Sequence, residues 1–237
     1  PMPGPLVRRQ QLAAVRNGLL KHREALADAV DADRGGRSRE RVLLNELLPV
    51  ITMISHAQRN LSRWMKPERR QPAEAFQPAK AFVCHEPLGV VGLVAGTRYP
   101  VIQALEPLVM ALAAGNRVML LLPQAAPLTS RVLGKVVNDA LPIEQAVAFQ
   151  ETTAVREAFL GLAFNLLLDT GAPEPDPATS FSGKSPAIVS DWVSLRHAAA
   201  RIAFGKGFCA GQTAVAPDYV LCPRRRIPAF VREFRRQ

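Results

Sequence analysis

Apolar side chains at Leu12, Val15, Leu19, Leu26 and Val30 recur in steps of three, four and seven, so residues 7–31 predict a helix with one buried stripe. Arg34-Gly35-Gly36-Arg37 ends it, because paired glycines accept the backbone angles of a helix terminus. A second helix is predicted from about Arg39 to Met65, with Leu44, Leu47, Ile51, Ile54, Leu61 and Trp64 facing inward. Pro49 should kink it or split off its first turns, since proline has no amide to donate. Residues 66–78 read as a connector.

Beyond residue 80 the pattern changes to short apolar, β-branched runs alternating with helical periods, which predicts a parallel α/β sheet. The strands expected are Ala81–His85, Gly89–Ala95, Arg117–Leu122, Ala146–Gln150 and Phe164–Leu168. Helices are expected at Pro100–Ala114, Pro127–Ala140 and Thr153–Leu160, the first of them stopped by Gly115-Asn116. With right-handed crossovers this is half or more of a doubly wound domain. From Thr170 to Ser182 the proline-rich text carries little structure. There follow a short apolar piece (Pro186–Val189), a helix near Val193–Phe204, a strand at Tyr219–Leu221 and a basic amphipathic helix, Arg226–Arg236.

Composition narrows the class. Hydrophobic residues make up 48% of 237, enough for a real core, and no apolar run reaches the ~18 residues that cross a bilayer. The opening lacks the apolar stretch of a signal peptide, and three scattered cysteines support neither a disulfide framework nor a zinc cluster. A cytoplasmic globular protein, off the membrane, is therefore expected. The net charge of +10 comes mostly from arginine, since only six of the 30 basic residues are lysine. The basic clusters at 34–41, 66–70 and 224–236 do not alternate with stacking aromatics, which argues for solvated faces rather than nucleic-acid binding.

Four phrases in order carry a family likeness: HEPLGVVGLVAGTRYP (85–100), ALAAGNRVMLLLPQ (111–124), GKSPAIVS (183–190) and RIAFGKGFCAGQTAVAPDYVLCPR (201–224). Together they resemble the aldehyde dehydrogenase superfamily, most closely its coniferyl-aldehyde type, over nearly the whole chain. The resemblance implies an α/β fold: an N-terminal helical region (1–79), a Rossmann-like NAD(P)-binding-type domain with a parallel sheet (80–178) and a truncated catalytic-domain remnant (179–237). In that family a cysteine thiolate attacks the aldehyde carbon. An asparagine amide and a backbone N–H hold the oxyanion, hydride passes to NAD or NADP, and a glutamate activates water.

Residue by residue, this chain departs from that pattern. The thiol that closes G-Q-x-C falls on Ala214, the asparagine of W-N-Y-P on Arg98, and the glutamate of L-E-L-G-G-K-S-P on Ser180. The lysine and glutamate that hold the adenosine ribose match Leu121 and Gln124, while the T-G-S turn survives in part as Thr170 and Gly171. The helix after that turn, whose amides would face a pyrophosphate, is replaced by a stretch with three prolines. The family's catalytic domain continues past the point matching Gln237, so apolar strand edges should be open unless another chain covers them.

Three function classes follow. One is a non-catalytic relative that pairs with itself or with a full-length relative. Another is an NAD(P)-dependent aldehyde oxidoreductase with residual activity through Cys209, five residues before Ala214. The third binds a cofactor or anion without turnover. Against the second stands the ordinary role of a free cysteine as a small apolar residue. Cys84 and Cys222 lie in strand patterns and read as inert, and His85 lacks any metal-ligand spacing.

Overall fold

The first helical stripe folds as two helices, α1 (Pro5–Lys21) and α2 (Arg23–Arg34), joined at His22. The computed structural model describes residues 3–171, 184–211 and 215–237. Leu12, Val15, Leu19, Leu26 and Val30 all have no exposed surface, so the stripe survives the break. Gly35, at φ +65°, closes α2 in the left-handed region that an L side chain rarely adopts.

The second predicted helix is divided more sharply. It comes as α3 (Arg39–Val42), a π turn over Leu43–Leu47, and α4 (Leu48–Trp64). The backbone stays helical throughout, and the wide turn lies immediately before Pro49, whose ring and missing amide a regular α-helical turn would not accommodate. The wide turn also shifts the phase of the stripe. Val42, Glu46, Leu47, Val50, Ile54, Ala57 and Leu61 are buried. Leu44 and Trp64, expected inward, are 61% and 38% exposed.

Two expectations are corrected next. The segment read as a connector contains β1 (Glu68–Arg70), which pairs antiparallel with β2 (Ala81–Val83). The strand expected at 81–85 therefore belongs to this ribbon and not to the parallel sheet. Glu-Arg-Arg is exposed at all three positions, so no apolar alternation announces it.

The main sheet holds β3 (Val90–Val94), β4 (Arg117–Leu122), β5 (Ala146–Gln150) and β6 (Leu166–Asp169), all parallel, in the order β5-β4-β3-β6. Its helices are α5 (Pro100–Ala114), α6 (Pro127–Ala140) and α7 (Thr153–Leu160), each beginning and ending where the sequence pattern places it. Gly115, at φ +90°, caps α5. The Arg8 guanidinium lies so close that a Cβ on Gly115 would stand 2.5 Å from its Cζ. Arg8 is 5% exposed and donates from Nη1 to the Ala113 carbonyl, tying α1 to the last turn of α5. The N-terminal helices and one sheet face share a single core that includes Leu12, Ile54, Leu105, Leu112 and Leu120. The other face carries a smaller cluster of Val94, Leu121 and Phe159.

By contacts, the chain divides into Pro1–Ala172 and Pro173–Gln237. In the second unit, β7 (Pro186–Ile188) and β8 (Tyr219–Leu221) pair in parallel. Two helices, α8 (Leu195–Gly207) and α9 (Ile227–Phe234), complete it around Val189, Ala199 and Phe230. Ser194 starts α8 by accepting the His197 amide on its hydroxyl. Among the described residues no helix is long and apolar enough to cross a membrane.

Candidate functional site

In the sheet order β5-β4-β3-β6 the chain runs outward from β3 to β5 and then returns to β3's other side. The switch point lies between the carboxyl ends of β3 and β6, where doubly wound folds form their ligand crevice. Thr170 and Gly171 stand at that place. The Thr170 amide bonds the Val94 carbonyl (2.9 Å), its hydroxyl accepts from the Gly96 amide (2.9 Å), and its carbonyl accepts from Gln103 Nε2 (3.0 Å). Gln103 Oε1 in turn accepts from the Tyr99 amide (3.1 Å). Space here is tight. A Cβ on Gly96 would come within 2.6 Å of Gln103 Oε1 and the Thr170 carbonyl, and one on Gly171 within 3.0 Å of Gly96 Cα. Only glycines allow the two strand ends to touch, and the protein's own hydrogen bonds fill the contact.

Leu121 and Gln124 lie at the end of β4, with different surroundings. Leu121 is 1% exposed and packs with Val94 and Phe159, so it presents a hydrocarbon surface and no cation. Gln124 is exposed, and its amide donates to Glu151 Oε2 at 3.0 Å. Glu151 accepts from Arg156 (2.6 Å), Arg156 lies 3.7 Å from Asp169, and Asp169 accepts from the Gly171 amide (2.8 Å). This polar chain joins Gln124 to Gly171 along the carboxyl edge.

Arg98 sits in the β3–α5 loop with its side chain exposed. What fixes the loop is Arg37: Nη2 donates to the Arg98 carbonyl (2.9 Å) and the guanidinium lies 4.9 Å from the centre of the Tyr99 ring. Arg37 Nη1 also pairs with Glu46 Oε1 at 2.8 Å, and Glu46 Oε2 accepts the Val101 amide at 2.8 Å. Tyr99 gives α5 no side-chain cap, so Glu46 caps that helix from across the core. Glu46 has no exposed surface, and burial pushes its carboxyl above the usual range, against the downward pull of the Val101 amide and Arg37.

Ser180 and Ala214 lie outside the described residues. The Cys209 backbone falls in a 3₁₀ turn, Phe208–Gly211, that follows α8. Nearby, Asp218 accepts from the Ser185 amide (3.0 Å) and from Lys206 (3.3 Å), contacts that hold its carboxyl below the ordinary value. Cys84 is exposed and Cys222 half-buried, both free thiols.

The residues that pin the switch point were not apparent from the sequence: Gln103, Glu46, Arg37, Glu151, Arg156 and Asp169. One signal was available. Glu46 stands four residues from both Val42 and Val50, a carboxylate on an otherwise apolar stripe.

A parallel sheet of this order, with its helices and a glycine-lined switch point, defines a doubly wound α/β protein of the nucleotide-binding type. Residues 4–151 match the aldehyde dehydrogenase family, and the chain belongs to it. It is 43% identical to a probable coniferyl aldehyde dehydrogenase of Pseudomonas aeruginosa over 99% of this chain and 52% of that protein. To one from Caulobacter vibrioides it is 37% identical, over 91% and 48%. The substrate-bound state of Staphylococcus aureus AldH shares the fold with a TM-score of 0.75 at 23% identity, over 97% of this chain and 53% of that one. The chain spans about half the length of the relatives it matches.

Proposed function

We propose that this chain is an aldehyde-dehydrogenase-like protein that does not oxidise aldehydes and acts in the cytoplasm by binding or pairing, with a second copy or with a relative. What carries the proposal is Ala214. A thiohemiacetal needs a sulfur lone pair and an acidic S–H, and a methyl group has neither. Ser180 and Arg98 at the other two family positions deepen the deficit: a serine hydroxyl is a weak base, and an exposed guanidinium is too long and forked to replace an amide.

NAD or NADP is the cofactor implied by the family, and the residues at the carboxyl edge do not fit it. Where a cation would hold the ribose, Leu121 is sealed among Val94 and Phe159, and the contact between Gly96 and Gly171 is occupied by internal hydrogen bonds.

Purified protein mixed with aromatic or aliphatic aldehydes and NAD or NADP is expected to form no reduced nicotinamide above a protein-free control. Turnover that disappears in Cys209→Ala would replace this proposal with the oxidoreductase one. The melting temperature is likewise expected to stay fixed in millimolar NAD or NADP. Binding to the native state at a hundredfold excess over Kd would add about 2.7 kcal/mol.

A further inference from the structure

We propose that a hollow in the first unit binds a small aromatic carboxylate, with the Arg8 guanidinium as its counter-charge. Four parts of the chain line it: Arg8 on α1, Trp64 at the end of α4, Met110 in the last two turns of α5, and Glu86 ahead of β3. Glu86 and the end of α5 precede β3 and β4, so the hollow lies at the amino ends of the parallel strands, on the opposite edge from the switch point. It shares no residue with that site, and its occupancy does not depend on whether the chain oxidises aldehydes.

Arg8 selects an anion. The residue is 5% exposed, and two of the five N–H groups of its guanidinium donate to carbonyls, Nε to Pro3 (2.8 Å) and Nη1 to Ala113 (3.0 Å). Among the described residues no carboxylate pairs with it, and burial lowers its pKa with no acidic neighbour to raise it back. Carbonyl oxygens satisfy donors but do not cancel a full charge, and a buried cation without a counter-ion is costly. A carboxylate in the hollow would take the remaining N–H groups in charge-assisted bonds. Glu86 does not fill that role, since it stands exposed on the rim where water screens it.

The walls define the rest of the guest. Leu61 is buried and Met65 half-buried, while Trp64 and Met110 keep 38% and 53% of their surface open. An indole face and two flexible thioethers form the kind of surface that packs on a flat ring. The indole is already steadied by the His56 ring, 5.6 Å away between centres. The hollow holds about 230 Å³. That is below the ~300–1,000 Å³ of sites for drug-sized molecules, which limits the guest to a single ring and its carboxylate.

Benzoate is the probe, titrated into the full chain carrying Trp192→Phe so that Trp64 supplies the fluorescence, with calorimetry as a second readout. A saturable change is expected, with Kd in the millimolar range or tighter. Benzamide, the same ring without the charge, should bind about tenfold more weakly, the scale of one lost hydrogen bond to a charged group. Arg8→Met, which keeps the stem and removes the charge, should abolish binding. If that variant fails to fold, Met110→Asp decides: the position is half open to water, so the variant should melt like the parent, yet its carboxylate should repel benzoate to a similar extent. Ile143→Asp, exposed elsewhere in the first unit, should leave binding unchanged. No saturable change, equal binding of benzamide, or indifference to Met110→Asp overturns the proposal.

Discussion

Glu46→Ala is expected to lower the stability of the first unit by about 3–5 kcal/mol, the usual result of breaking a buried ion pair from one side. The carboxylate has no exposed surface and serves two partners, Arg37 and the Val101 amide. Its loss strands a guanidinium and opens the first turn of α5. Because Arg37 also holds the Arg98 carbonyl and faces the Tyr99 ring, the β3–α5 loop should loosen with it. Urea unfolding followed by Trp64 fluorescence in a Trp192→Phe background measures the loss. The pH dependence has a definite sign. With its carboxyl raised in the folded state, Glu46 makes the native protein bind more protons than the unfolded chain between the two pKa values. Its contribution is therefore fully present below the ordinary carboxylate range and is lost as pH rises through the raised value. Glu46→Gln should remove that component of the slope.

The second large effect is expected at Leu121, where the family resemblance implies a cofactor-binding lysine. Leu121→Lys is expected to destabilise by about 3–5 kcal/mol and to leave NAD and NADP without a melting shift, because the new ammonium must enter a cluster of Val94, Phe159, Phe149 and Phe164. A lysine there would have its pKa depressed, so the loss should deepen as pH falls. Cofactor binding by this variant would contradict the mismatch argued for the whole carboxyl edge.

The elements that sequence placed best are those with chemical punctuation at their ends. α5 and α6 each open on a proline and α5 closes on Gly115, while β4 ends in a Val-Met-Leu-Leu-Leu run too apolar for a loop. What escaped had no such marks. The π turn over Leu43–Leu47 is leucine and glutamate around one asparagine, so nothing in Leu-Leu-Asn-Glu-Leu tells an i→i+5 turn from an α-helical one, and the exposure of Leu44 follows from it. β1 pairs with β2 through side chains that all face water, so it carries no apolar alternation. At the candidate site, the family phrases point to Thr170, Gly171, Leu121 and Gln124, which the fold sets along the carboxyl edge of the sheet. The polar chain from Gln124 through Glu151, Arg156 and Asp169 could not be read, because its members come from four separate segments that only the folded sheet brings within bonding distance.

The division of the chain into two units has a consequence for its cooperativity. The first unit buries more than thirty core side chains in one cluster, whereas among the described residues the second buries Val189, Ala199 and Phe230, with Leu195, Ala198, Ile202, Val220 and Cys222 packed against them. So small a nucleus gives little reserve against conformational entropy. Heating should therefore empty the native state in stages, with the carboxyl-terminal unit opening first, and a heat-capacity trace fitted to a single transition would assign one enthalpy to two separate events.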